Sequence, residues 1–232
     1  MIPAIVLAGG LGTRIRTHAG GLPKSMISVG GRPFVEYVLD RLADANVPAI
    51  HLAVSYRSEV IQTHLGDSYG DIPLFYSVED TPLGTGGAIL KCFRDHRLPR
   101  ALILNGDTLF HVDLDALVAT HLNAASHVTL ALRREADTSR YGAVTCDSSH
   151  RVIAFEEKRT GGPGLINGGI YVAERSGFDV TNVSSTFSFE HDFLEKNLDA
   201  LRPLAVISDG YFIDIGIPED LERARREIAH VT

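Results

Sequence analysis

Cysteine is scarce, positive charge is in deficit and no long apolar run occurs. Each shortage closes off a class of function. Cys92 and Cys146 lie far apart with no C-x-x-C spacing, so both thiols are expected to be free and reduced. Against 29 Asp and Glu stand only 22 Lys and Arg, a net charge of −7, which leaves no electrostatic footprint for nucleic acid or an anionic lipid surface. No stretch approaches the ~20 apolar residues that span a bilayer. No basic-then-apolar leader precedes the run Ile2 to Leu7, so a cytoplasmic protein with no nucleic-acid or membrane partner is expected. The ten histidines are scattered without H-x-x-x-H or clustered spacing, which argues against a histidine metal site. His191, in Phe189-Glu190-His191-Asp192, is the one to watch as a substrate contact from a late loop.

What remains is an ordinary globular composition. With 232 residues, 44% of them hydrophobic, the chain can bury one continuous core and falls short of two, so a single domain over 1–232 is expected. Aliphatic runs alternate with amphipathic stretches, the pattern of βα units on a largely parallel sheet. Strands are expected near Ile2 to Leu7, Ile50 to Val54, Leu74 to Val78, Ala101 to Leu104 and Val128 to Leu132. A helix from Phe34 should start with Pro33 in its first turn, Ser58, Thr85 and Asp113 should cap three more, and a last helix should begin at Pro218. The second half has shorter strands near Ala143 to Cys146, Val152 to Phe155, Gly169 to Val172, Leu204 to Ile207 and Tyr211 to Asp214, between glycine-rich turns. They suggest a small antiparallel insertion.

The most informative stretch is Ala8-Gly9-Gly10-Leu11-Gly12-Thr13-Arg14, directly after the first strand, with Lys24 following in Leu22-Pro23-Lys24-Ser25. Glycines there let the backbone aim its N–H groups at an anion. A dinucleotide fingerprint is excluded because Ile15 stands where its last glycine belongs, and a Walker loop because Pro23 precedes the lysine. A loop with two fixed cations, Arg14 and Lys24, suits a triphosphate attacked at its α-phosphorus. Asp107, in Asn105-Gly106-Asp107, sits at the carboxyl end of a strand, where ligands bind in open α/β sheets. Asp214 is a second carboxylate in an otherwise apolar run, where an unpaired charge would be costly. Two such carboxylates can share a hard cation with phosphate oxygens.

The G-G-x-G-T-R loop with P-K ten residues beyond its arginine resembles the signature of sugar-1-phosphate nucleotidylyltransferases. Further matches follow in the family's order: Pro82-Leu83-Gly84-Thr85-Gly86-Gly87 resembles its base-binding loop, Tyr141-Gly142 its sugar loop, Glu156-Glu157-Lys158 its charged element and Asn167-Gly168-Gly169-Ile170-Tyr171 its N-x-G-I-Y strand. The resemblance implies a Rossmann-like nucleotide-diphospho-sugar transferase fold, with a mixed, mostly parallel central sheet flanked by helices. It implies that Arg14, Lys24 and Lys158 are catalytic and that Asp107 and Asp214 bind Mg²⁺. Leu7, Ala8, Gly9, Gly10, Gly12, Thr13, Glu79, Gly84, Thr85 and Asn105 would bind nucleotide. Gly142, Glu156, Glu157, Asn167 and Gly168 would bind sugar, with the choice between the two glutamates open.

Base choice rests on Glu79, five positions before Gly84, where thymidylyl-transferring relatives place glutamine. A carboxylate only accepts hydrogen bonds, which fits the paired N1–H and N2–H₂ donors of guanine and disfavours thymine or uracil. Asp80 is a competing candidate. The length, the Leu22-Pro23-Lys24-Ser25-Met26 element and the run Phe212-Ile213-Asp214-Ile215-Gly216-Ile217-Pro218 together look most like the D-glycero-α-D-manno-heptose 1-phosphate guanylyltransferases, which serve bacterial capsule or surface glycan synthesis. GTP and the sugar 1-phosphate are then the expected partners, with a homo-oligomer left open. Ser25 and Thr17-His18-Ala19 depart from the family's common residues. A mannose-1-phosphate guanylyltransferase, another nucleotide-sugar pyrophosphorylase and a non-catalytic nucleotide-sugar-binding subunit are the alternatives.

Overall fold

The aliphatic runs become strands of one sheet, and the amphipathic stretches become helices that cover it. The computed structural model describes residues 1–10, 20–124, 126–156 and 161–228. Its first strands are β1 (Ala4–Leu7), β2 (Ser28–Val29), β3 (Arg32–Pro33), β4 (Ile50–Val54), β5 (Ser68–Tyr69), β6 (Ile72–Val78), β7 (Arg100–Asn105) and β8 (Thr108–Phe110). Then come β9 (Val128–Glu135), β10 (Ala143–Cys146), β11 (Val152–Glu156), β12 (Gly164–Glu174), β13 (Leu204–Ser208) and β14 (Phe212–Asp214). The α-helices are α1 (Phe34–Asp44), α2 (Ser58–Leu65), α3 (Gly84–Asp95), α4 (Leu114–Leu122), α5 (Leu198–Leu201) and α6 (Pro218–Glu227).

A ten-stranded sheet runs β11-β10-β12-β7-β1-β4-β6-β5, with β9 beside β12 and β13 beside β9. Its centre is parallel: Leu7 of β1 lies opposite Asn105 of β7 and Ala53 of β4, so these strands end together at one edge. The second half adds strands to the same sheet. β12 runs antiparallel to β7 and β9, and β10 and β11 extend it as the antiparallel part. Register slips between Asn167 and Tyr171, where Gly169 takes φ +71°. That break kinks β12 beside the carboxyl edge of the sheet. β8 and β14 form a separate two-stranded ribbon.

Both faces of the sheet are buried, as parallel strands require. Along β1, Ala4 and Val6 enter one apolar cluster with α1, α2, α4 and α6, while Ile5 enters the other with α3 and the aromatic run Phe178, Phe187, Phe189 and Phe193. Three local expectations need correction. Pro33 stands just before α1, in extended conformation at ψ 139°, and belongs to β3. Ser58 is the first residue of α2, and the chain enters that helix through Arg57 in the left-handed region at φ 51°. Thr85 lies inside α3 and receives the Phe189 N–H on its hydroxyl at 2.9 Å. The other two held: Asp113 caps α4 by accepting the Ala116 N–H at 2.9 Å, and Pro218 opens α6.

The core also carries histidines that stay neutral when folded. The buried His51 ring stacks on Phe75 and packs tilted against His96, with centroids 5.1 and 4.3 Å away, and its Nδ1 has no hydrogen-bond partner among the described residues. Burial, with a smaller push from His96, lowers its pKa from 6.5 to about 4, and burial also lowers His96, His111 and His121. The unfolded chain therefore binds more protons than the native one below pH 6.5, and stability falls from there toward pH 4. Urea midpoints at pH 7 and pH 5 should show this loss, with His51→Leu losing less than the parent. An equal loss in both would remove His51 as a contributor.

Candidate active site

Three cavities line the carboxyl edge of the sheet. The first, about 300 Å³, lies where β1, β4, β6 and β7 end and is lined by Leu7, Gly9, Gly10, Glu79, Gly84, Thr85 and Asn105 among others. Seven of the ten expected nucleotide-binding residues thus meet there. Ala8 does not: it is fully buried, and its carbonyl accepts the Ser25 hydroxyl at 3.1 Å, so its role is to fix the loop. Gly12, Thr13 and the catalytic candidate Arg14 lie outside the described residues. The wall that carries Gly84 is fastened to a distant segment, since Phe187 N–H bonds Leu83 O and Gly86 N–H bonds Phe187 O, each at 3.0 Å. A Cβ on Gly84 would stand 2.5 Å from Phe187 O, which with its positive φ makes glycine obligatory at that contact. Glu79 Oε2 accepts the Leu83 N–H at 3.0 Å, so the described residues use one of its two oxygens. Burial raises its pKa, against the opposing pull of that N–H and of Lys91.

The second cavity, about 380 Å³, holds the charged centre. Asp107 follows β7, and Asp214 ends β14 paired opposite Thr108, so the ribbon places the two carboxylates together. Lys24, on a short 3-10 turn after Pro23, bridges them with Nζ 2.5 Å from Asp107 Oδ2 and 3.3 Å from Asp214 Oδ1. Burial opposes the lysine's charge, but the two carboxylates outweigh it and raise its pKa. The Asp214 pKa is also raised, by burial first and then by the charge of Asp107. Two half-buried carboxylates thus share one monovalent ammonium and remain short of positive charge. A donor set of two carboxylate groups with room for phosphate oxygens is one that could hold Mg²⁺. Among the described residues no cluster of three or more His, Cys, Asp or Glu offers a complete protein cage, so substrate oxygens would have to complete the shell.

The third cavity, about 530 Å³, is lined by Tyr141, Gly142, Glu156, Asn167, Glu190 and His191, among others. Three expected sugar contacts meet there. Gly168 lines none of the three cavities; a Cβ on it would strike the Phe110 ring, so it is a packing glycine. Glu157 and Lys158 lie outside the described residues. Asn167 is already committed: its Oδ1 accepts the Gly169 N–H at 3.0 Å and its Nδ2 donates to Tyr171 Oη at 2.8 Å. The Tyr171 hydroxyl donates in turn to Glu190 Oε1 at 2.5 Å. Burial first, and then the Glu190 charge, keep that phenol protonated. His191 pairs with Glu195 at 2.7 Å on the same wall. Reading by motif missed Glu190, although it is the neighbour of His191, and also missed Arg140 and Asp220; Tyr171 was read as part of the N-x-G-I-Y strand but given no contact.

Neighbouring cavities share walls. Asn105 and Asp107 border the first and second, and Tyr141, Asn167 and Glu190 border the second and third. The cavity that gathers the expected nucleotide contacts and the one that gathers the expected sugar contacts thus both adjoin the cavity of Asp107 and Asp214. Residues 3–231 match the family model described as nucleotidyl transferase. The chain belongs to the nucleotidyl transferase family. Among its relatives it is 44% identical over 227 residues, covering 98% of both chains, to the D-glycero-alpha-D-manno-heptose 1-phosphate guanylyltransferase of Aneurinibacillus thermoaerophilus. It is 34% identical to the mannose-1-phosphate guanylyltransferase of Mycobacterium tuberculosis over 98% of this chain but only 64% of that one. The crystal structure of HddC from Yersinia pseudotuberculosis complexed with GMP-PN superposes with a TM-score of 0.86 at 32% identity, over 98% of this chain and all of that one. The nucleotidyl transferase fold expected from the glycine-rich loop is thus the fold observed.

Proposed function

We propose that the chain transfers GMP from GTP to D-glycero-α-D-manno-heptose 1-phosphate, releasing pyrophosphate and GDP-heptose. The observation that carries the reaction class is Lys24 bridging Asp107 and Asp214 between the two chambers. The sugar assignment is supported by a heptose 1-phosphate guanylyltransferase that matches at 44% identity along nearly its whole length, whereas the mannose enzyme is longer and less similar.

The attacking group is a phosphate oxygen, already nucleophilic near neutral pH, so the protein needs positioning and charge stabilisation in place of a general base. Asp107 and Asp214 would hold Mg²⁺, which when bound neutralises charge on the triphosphate oxygens. Lys24, displaced from one or both carboxylates, would meet the α-phosphoryl oxygens as negative charge builds there. Glu190, fixed by Tyr171, and Glu156 would accept sugar hydroxyls. Arg14 would steady the leaving pyrophosphate and Lys158 the attacking phosphate, as the family resemblance implies. The product would serve capsule or surface glycan synthesis in the cytoplasm; no helix of the described residues is long and apolar enough to cross a membrane.

Pyrophosphate release measured across ATP, GTP, CTP, UTP and dTTP, each with heptose 1-phosphate and with mannose 1-phosphate, tests the reading. Release confined to GTP with heptose 1-phosphate is expected. A preference for mannose 1-phosphate would move the chain to the alternative sugar, and silence with every pair would leave the non-catalytic alternative. Glu79→Gln separately tests the base. Glutamine can still accept the Leu83 N–H but also donates, so the kcat/KM ratio of GTP to UTP should fall by about tenfold or more. An unchanged ratio would remove Glu79 as the base reader.

A further inference from the structure

The middle cavity has an unfavourable charge for its proposed guest. Asp107, Asp214, Asp220 and Glu190 all line it; Lys24 is taken up by Asp107 and Asp214, and Arg140 is the one cation among the described lining residues. A sugar 1-phosphate is a dianion, and it must place its phosphate there to reach the α-phosphorus of a nucleotide bound beside Asp107. Arg140 immediately precedes Tyr141 and Gly142, which border the sugar chamber. Its guanidinium is held on two sides. Nη1 donates to Asp220 Oδ1 at 3.4 Å and Nη2 to Asp220 Oδ2, while Cζ lies 5.3 Å from the centroid of the Tyr141 ring. That ring is itself braced edge-on against Phe212, two residues before Asp214.

Asp220 is the fixed end of the pair, its side chain only 5% exposed in the first turn of α6, whereas the arginine side chain is 46% exposed. The carboxylate occupies one N–H on each terminal nitrogen. Among the described residues no other carboxylate takes the rest of the five-donor fork, and a guanidinium matches a phosphate as well as a carboxylate. Arg140 and the two carboxylates Asp107 and Asp214 line the same cavity.

We propose that Arg140, oriented by Asp220, binds the phosphate of the sugar 1-phosphate and delivers it across the middle cavity toward the nucleotide. This rests on the transfer reaction proposed above and adds a recognition residue to it. Asp220 is a positioning residue in this arrangement.

Steady-state pyrophosphate release with Arg140→Met, Arg140→Lys and Asp220→Asn is the test, with heptose 1-phosphate and GTP varied in turn. Arg140→Met should raise KM for the sugar phosphate on the order of 10- to 100-fold, the worth of a charge-assisted hydrogen bond, with KM for GTP moving less than about threefold. Arg140→Lys should recover part of the loss, and Asp220→Asn should shift the same KM by less. An unmoved sugar-phosphate KM would overturn the assignment. So would a rise in both KM values with a lowered melting temperature and no rescue by lysine, since the pair would then only latch the Tyr141 loop to α6. If the unaltered chain turns over no sugar phosphate, the transfer reaction falls and the assignment with it.

Discussion

Lys24→Met should lower turnover at saturating substrates on the order of 10²- to 10³-fold, comparable to removing one oxyanion donor from a preorganised site. The ammonium bonds Asp107 at 2.5 Å and Asp214 at 3.3 Å, and its side chain is 12% exposed, so no water-filled space replaces it cheaply. Its loss leaves two carboxylates facing each other, and the Asp214 pKa, already raised by burial and by Asp107, should rise further. A group with a raised native pKa favours the folded state as it takes up a proton. The stability deficit of the variant relative to the parent should therefore be larger at pH 8 than at pH 5.5. Mg²⁺ should also raise the melting temperature of the variant more than that of the parent, because no lysine competes for the carboxylates. Pyrophosphate release and thermal unfolding read both effects. Turnover within a few fold of the parent would remove Lys24 from the reaction, and an equal Mg²⁺ response in both proteins would remove it as the competing cation.

Much of this could be read from the chain alone, and the failures have a common cause. The strands Ile50–Val54 and Ala143–Cys146 match their runs because aliphatic and β-branched residues between turn formers leave few alternatives. Asp113 and Pro218 fall where local chemistry puts them. Ser58 and Thr85 do not, because each looks like a cap within a short window while the backbone enters the helix by another route. Arg57 at φ 51° and Gly84 at φ +71° set those entries, and the hydroxyl of Thr85 belongs to a partner 104 residues away. β12 was read too short for the same reason. Asn167-Gly168-Gly169 has the composition of a turn, yet β9 and β10 hold it as a kinked strand. At the site, Lys24, Asp107 and Asp214 were legible because each carries a motif. Arg140 and Asp220 carry none, and only the fold brings them together across 80 residues.

Asp107 and Asp214 should prove to be one functional unit. If both act through a single bound cation, Asp107→Asn and Asp214→Asn should each reduce kcat/KM on the order of 10²- to 10³-fold. The double variant should lose little more than the worse single one, because groups that work through one ion are not additive. Chelation with EDTA should abolish pyrophosphate release in the parent, and Mg²⁺ should restore it. Each single variant should need more Mg²⁺ for half-maximal rate, since one anionic ligand has been made neutral. The stability of Asp214→Asn should move the other way from that of Lys24→Met. Neutralising Asp214, whose ionised form burial and Asp107 already disfavour, removes a repulsion, and Lys24 keeps its shorter bond to Asp107. Asp214→Asn should therefore melt no lower than the parent while losing turnover. Losses that add in the double variant, or an unchanged Mg²⁺ requirement in both single variants, would mean that the two carboxylates do not share an ion. Asp214 would then be left with orienting Lys24 as its task.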